Sequence, residues 1–130
     1  MRKVLSLLLV WACLVGTLAA QPTDQGPESF VDYYLKAWSR GDFQSTYACL
    51  SSRMKKALSF EKHVKSLSFS VQTPEQKENL AGAEVLEVAP VQGKNGVDPM
   101  RKRVRVRYKD GTEAMFMLLS ESGHWKLDGP

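Results

Sequence analysis

The sequence predicts an α+β fold, with N-terminal helices packed on one face of an antiparallel sheet of about four strands. Three observations carry this. Apolar residues recur at three-to-four spacing from Phe30 to Trp38, the signature of a helix with one buried face. From Arg101 to Lys109 the chain alternates strictly, and Thr112 to Leu119 returns after Asp110-Gly111 as a partner strand. The helical patterns also precede the strands, as expected when helices are segregated to one side of a meander.

Pro27 stands where a first helical turn favours proline, and Phe30, Val31, Tyr34, Leu35, Ala37 and Trp38 form the apolar stripe. Gly41 closes that helix and Asp42 caps the next, which carries Phe43, Tyr47 and Leu50. A third short helix begins near Ser52 with Met54, Ala57 and Leu58. Ser59 caps a fourth, with Val64 and Leu67 facing inward. Leu67, Phe69 and Val71 alternate with serines and read as a strand. Thr73 to Ala81 is polar and reads as a loop. Gly82 to Val91 reads as a strand, and Gln92 to Pro99, dense in turn residues, as a second loop.

The hairpins give a register. With Asp110-Gly111 as a two-residue turn, Tyr108 faces Glu113, Val106 faces Met115 and Val104 faces Met117. A three-residue turn around Gly123 then sets Leu119 opposite Trp125 and Met117 opposite Leu127. Val104, Val106, Met115, Met117, Leu119, Trp125 and Leu127 would share the face that the helices cover. Arg103, Arg105, Arg107, Ala114, Phe116, Leu118, His124 and Lys126 would share the other.

The N-terminus has the plan of a secretory signal peptide. Arg2 and Lys3 precede an apolar run from Val4 to Val15, and small residues reach Ala20 before the polar stretch from Gln21. The expected organisation is a signal peptide over 1–20, a flexible lead-in over 21–27 and one domain over 28–130. The product would be periplasmic or secreted. The apolar run is short for a stable membrane span. Two alternatives are an uncleaved anchor and a lipidated Cys13. Removing Arg2 and Lys3 lowers the formal net charge from +4 to +2, which argues against a general nucleic-acid binder. Cys49 would be the sole cysteine left, a small buried residue without a disulfide partner.

Tyr34, the Trp38-Ser39-Arg40-Gly41-Asp42 break, Thr46-Tyr47-Ala48-Cys49-Leu50-Ser51, Phe60-Glu61-Lys62-His63-Val64 and Gly123-His124-Trp125-Lys126-Leu127 together resemble the nuclear transport factor 2-like superfamily. The likeness is nearest to its small exported bacterial members. It implies a cystatin-like cone, helices closing over a curved sheet. The superfamily includes ketosteroid isomerase and scytalone dehydratase, and Tyr34 matches the isomerase's oxyanion-binding tyrosine. Where the general-base aspartate would be expected, this chain has the basic run Ser51-Ser52-Arg53-Met54-Lys55-Lys56. The later strand carries Val104, Val106 and Tyr108 and no aspartate. A tyrosine without its base cannot abstract a proton at useful rates. The paired His and Asp of the dehydratase are not recognisable either.

Other chemistries lack their residues. His63, His124 and Cys49 give no metal-ligand spacing, and no nucleophile elbow or phosphate-cradling glycine loop occurs. His63 reads as solvated beside Lys62 and Lys65, and His124 as a residue flanking a turn. The expected function is a non-enzymatic binding or interaction module of the cell envelope, without cofactor or metal. Its partner would be a small apolar ligand, an envelope protein or a second copy. A ligand would meet Tyr34, Trp38, Tyr47, Met115, Met117 and Trp125 inside the cone. An interaction surface would use Arg103, Arg105, Arg107, Phe116, Leu118 and Lys126. The alternatives are a small lyase or isomerase using the cone cavity, and a structural domain that dimerises through the sheet.

Overall fold

A computed structural model of the chain describes residues 26–129. The expected signal peptide and most of the lead-in lie outside them. Among the described residues, five helices come first: α1 (Pro27–Ser39), α2 (Phe43–Ala48), α3 (Ser52–Ala57), α4 (Phe60–Ser68) and α5 (Pro74–Ala81). Strands β1 (Glu84–Gly93), β2 (Gly96–Arg107), β3 (Glu113–Glu121) and β4 (His124–Gly129) follow. They form one antiparallel sheet in chain order, so the α+β class holds. No described helix is long and apolar enough to cross a membrane.

Helix boundaries follow capping chemistry. Gly41 takes φ +71°, and the N–H groups of Gly41 and Asp42 return to the carbonyls of Trp38 and Ala37 at 2.9 Å each, closing α1. Asp42 then accepts the Ser45 N–H at 3.2 Å to open α2. Ser51 and Ser59 cap α3 and α4 in the same way.

Three expected elements are corrected. Leu67, Phe69 and Val71 do not form a strand, because α4 runs on through Ser68. The Ser66 and Ser68 hydroxyls bond back to the carbonyls of Lys62 and Lys65, and Trp38 Nε1 holds the Leu67 carbonyl at 2.9 Å. Thr73 to Ala81 is helix α5 rather than loop, nucleated by a Thr73–Gln76 capping box with Pro74 in its first turn. It buries only Leu80, so it has no apolar stripe to betray it. Gln92 to Pro99 is not a loop but the far end of the β1–β2 hairpin, turning at Lys94-Asn95. The register jump there leaves Pro99, Met100 and Arg101 of β2 without partners on β1, a bulge that accepts proline.

The hairpin registers are corrected as well. Arg107 pairs with Glu113, Val106 with Ala114, Arg105 with Met115 and Val104 with Phe116. The turn has three residues, Lys109-Asp110-Gly111, with Gly111 alone at positive φ (+92°) and Tyr108 N–H bonded to the Thr112 carbonyl at 2.8 Å. A two-residue turn would need Asp110 at positive φ too. The next turn is the tight one: Ser122 and Gly123 both take positive φ, Ser120 pairs with Trp125 and Leu118 with Leu127. The two departures are equal and opposite, so β3 alone turns over. Phe116 and Leu118 enter the core, while Met115, Met117 and Leu119 join the arginine face.

The core joins Phe30, Val31, Tyr34 and Leu35 of α1 to Val104, Val106, Phe116, Leu118 and Leu127 of the sheet. The helical layer is pinned to the free edge of β4. Leu50 bridges Leu127 in parallel, through Ser51 N–H to the Leu127 carbonyl at 2.8 Å and Leu127 N–H to the Cys49 carbonyl at 2.7 Å. Beside this bridge the Asp128 carboxylate, its side chain 2% exposed, accepts from Ser51 Oγ (2.7 Å), Arg53 Nε (3.2 Å) and Arg101 (2.9 Å). Burial pushes its pKa up, but the Ser51, Arg53 and Arg101 hydrogen bonds and the Arg53 charge outweigh that and hold it below 3.8.

Asp128→Asn keeps the shape and removes the charge. It is expected to lower the unfolding free energy by about 1.5–3 kcal/mol in urea titrations at neutral pH. The wild type holds this contribution above pH 3.8 and loses it as pH falls through the lower folded-state value, so the two proteins should converge in acid.

Candidate functional site

A cleft of about 340 Å³ opens between the C-terminal end of α1, α5 and the β2–β3 turn, lined by Trp38, Ser70, Gln76, Asn79, Leu80, Tyr108, Asp110 and Thr112. It shares Gln76, Asn79 and Asp110 with an adjoining depression of about 410 Å³ that Glu75, Glu78 and Lys109 complete. The first volume lies within the range that small organic ligands occupy.

Its walls are fixed by bonds within the protein. Asn79 on α5 accepts the Asp110 N–H at 2.8 Å, gives its amide to the Asp110 carboxylate at 3.3 Å, and receives the Lys109 N–H on its own carbonyl at 3.3 Å. Thr112 donates its hydroxyl (2.6 Å) and N–H (2.9 Å) to the same carboxylate. These Thr112 bonds, with a smaller share from Asn79, hold the Asp110 carboxyl below its ordinary value of 3.8. It therefore stays ionised at neutral pH and is no general acid. Gln76 is engaged with Gln72, Thr73 and Phe69, and the Trp38 indole N–H with Leu67. The half-buried Tyr108 phenol has no hydrogen bond to a described residue, and burial, then Asp110, raises its pKa.

The six residues expected to share a cavity are dispersed. Trp38 lines the cleft, and Tyr34 packs edge-on against it at 6.1 Å and against Phe116 at 6.0 Å. Trp125 lies against the core from β4. Tyr47 sits apart with Phe60 and His63, its hydroxyl on the Leu58 carbonyl at 2.9 Å. Met115 and Met117 are on the opposite face of the sheet from Tyr34. Burial, then Cys49 and Tyr108, pushes the Tyr34 phenol far up, and burial holds the Cys49 thiol up at about 11. No carboxylate acts on Tyr34; at Cys49, Lys126 and Lys55 pull the thiol down and Asp42 adds to the rise.

The expected interaction surface is also redrawn. Phe116 and Leu118 leave it for the core. Arg105 and Arg107 are paired with glutamates on both neighbouring strands: Arg105 with Glu113 (2.9 Å) and Glu87 (3.8 Å), Arg107 with Glu84 and Glu113 (3.7 Å each). Lys126 gives its ammonium to the Ala48 carbonyl at the end of α2. Arg103 faces Ala89 and Met117. This face is a cross-strand ion-pair ladder with an exposed Met115.

No family model matches the chain, and no curated protein matches it significantly. Of the cleft residues, Asn79 and Gln76 fall in a segment read as loop, and Tyr108 and Asp110 in one read as hairpin. The Thr73–Gln76 spacing was the signal for α5, but nothing local says that Asn79 meets Asp110.

His63 is buried rather than solvated. Its Nε2 lies 2.7 Å from Thr46 Oγ1, whose own proton goes to the Phe43 carbonyl at 3.0 Å, so His63 is the donor. Burial lowers its pKa from 6.5. The unfolded chain takes up a proton near pH 6.5 that the folded chain refuses until lower pH. Stability should therefore fall as pH drops below 6.5, by at most about 1.4 kcal/mol per pH unit. Chemical denaturation of His63→Phe across that window should show this part of the slope removed.

Proposed function

We propose that the protein is a non-enzymatic binding module of the cell envelope that holds a small organic ligand in the Trp38–Tyr108 cleft. One observation carries the reading: an indole, a phenol and an apolar Leu80 converge there on a rim whose amide and carboxylate groups are already fixed by one another. Such a site asks for a ligand with an apolar face and one hydrogen-bonding edge. The Tyr108 hydroxyl, which bonds to no described residue, is its natural contact. The order of helices and strands is also the one that the resemblance to the nuclear transport factor 2-like superfamily implies.

A lyase or isomerase is less well supported. Around Tyr34 the titratable neighbours are a thiol and a phenol, both pushed up and so neutral at ordinary pH. Neither is a proton acceptor of useful strength. Dimerisation through the outer sheet face keeps one specific support, the 40% exposed Met115 set among charged residues of both signs.

Native mass spectrometry of protein purified gently from the exported fraction tests the cleft. A co-purifying small mass is expected in the wild type. Tyr108→Phe should weaken its retention by about tenfold, the effect of one unmade hydrogen bond, and Trp38→Ala should abolish it. A bare wild-type protein, or a mass held equally by both variants, contradicts the reading.

A further inference from the structure

Charge is unevenly placed on this chain. Residues 52–69 hold Arg53, Lys55, Lys56, Lys62 and Lys65 against Glu61 alone, a formal +4. Residues 21–51 and 70–130 together come to −2. Arg53 is committed to Asp128. The four lysines are exposed, and none is ion-paired among the described residues. This contrasts with Arg105 and Arg107, which the glutamates of the sheet neutralise.

Exposed aromatic surface accompanies the charge. Phe69, which ends α4, is 61% exposed, and Phe60, which begins it, is 40% exposed. Phe69 keeps helical geometry, so Lys62, Lys65 and Phe69 fall at i, i+3 and i+7. They form one outward stripe, while His63 and Leu67 turn inward. Tyr47 gathers the rest of the patch, with Lys55 over its ring at 5.9 Å and Phe60 edge-on at 5.5 Å.

We infer that the α3–α4 face docks on an anionic phospholipid surface, with the lysines on the headgroups and Phe69 at the headgroup–acyl boundary. Unpaired lysines around a protruding phenyl ring suit that boundary. Reading nucleic acid would call for stacking platforms along a groove or donors aimed at base edges, and this stripe has one phenyl ring and no such donor set. The export expected from the N-terminal sequence would keep the domain beside a bilayer. The contact is electrostatic and shallow, so it is reversible and sensitive to salt. It is independent of the Trp38–Tyr108 cleft and stands or falls without it.

The test is co-sedimentation of the chain, as recovered from the exported fraction, with phosphatidylglycerol–phosphatidylcholine vesicles and with phosphatidylcholine vesicles. Every variant carries the same N-terminus, so any contribution from it is common to all. Partition into the anionic vesicles is expected to exceed that into neutral ones by about tenfold or more and to collapse at high salt. Lys62→Ser with Lys65→Ser should weaken it about fivefold for each lysine. Phe69→Ser should weaken it while leaving the salt dependence in place. These residues are exposed, and unchanged circular dichroism would confirm that each variant folds. Equal partition into both vesicle types, an unaffected double lysine variant, or tighter binding to a single-stranded oligonucleotide than to anionic vesicles would overturn the inference.

Discussion

The three-residue turn Lys109-Asp110-Gly111 is the constraint on which the rest of this molecule depends. Its length decides which side of β3 faces the helices. Phe116 and Leu118 reach Tyr34 and the core because of it, and Met115 and Met117 are sent outward. The same turn builds the cleft, since Asn79 on α5 grips the Asp110 backbone and carboxylate that shape it. Register and site are therefore one feature. A turn shorter by one residue would exchange the faces of β3 and pull Asp110 away from α5.

At the far end of the sheet a second set of contacts holds the helical layer. Cys49, Leu50 and Ser51 add a single parallel bridge to β4, and Asp128 ties that bridge to Arg53 and Arg101. Removing one partner of a buried charge generally costs more than the pair contributes, which makes Asp128 a point of vulnerability more than a source of stability. His63 plays a comparable part between α2 and α4. A neutral imidazole fills a position that an apolar residue could hold, and its hydrogen bond to Thr46 is what makes burial tolerable.

Much of the fold was legible because local chemistry enforces it. The Gly41–Asp42 break, the start of α3 near Ser52, the Ser59 cap and the alternation along β2 each rest on residues close together in the chain. What was not legible rests on distant partners. Asp110-Gly111 suits a two-residue turn by itself, and only Thr112 and Asn79 select the longer one. Swapping the two turn lengths shifts β3 against both neighbours by one residue in opposite senses. The expected pairings therefore agreed with each other and still put β3 on the wrong face. His63 looked solvated because its neighbours Lys62 and Lys65 are, although helical geometry turns it the other way. The cleft was hidden for the same reason as α5: its helix is polar on almost every side.

Function follows from this division of surfaces. The helix side offers a cleft with fixed polar walls, and the outer face of the sheet is largely neutralised by its own ion pairs. Lysines without an ion pair among the described residues cluster on α3 and α4. The central claim is that the three-residue turn puts Phe116, and not the methionines, against α1. Nuclear Overhauser contacts in methyl-labelled protein test it most directly. Ring-to-ring contacts between Phe116 and Tyr34 are predicted, with the Met115 and Met117 methyl groups seeing only the side chains of Arg103, Arg105 and neighbours on that face. Contacts from either methionine to Tyr34 or Trp38 would contradict the register, and with it the cleft.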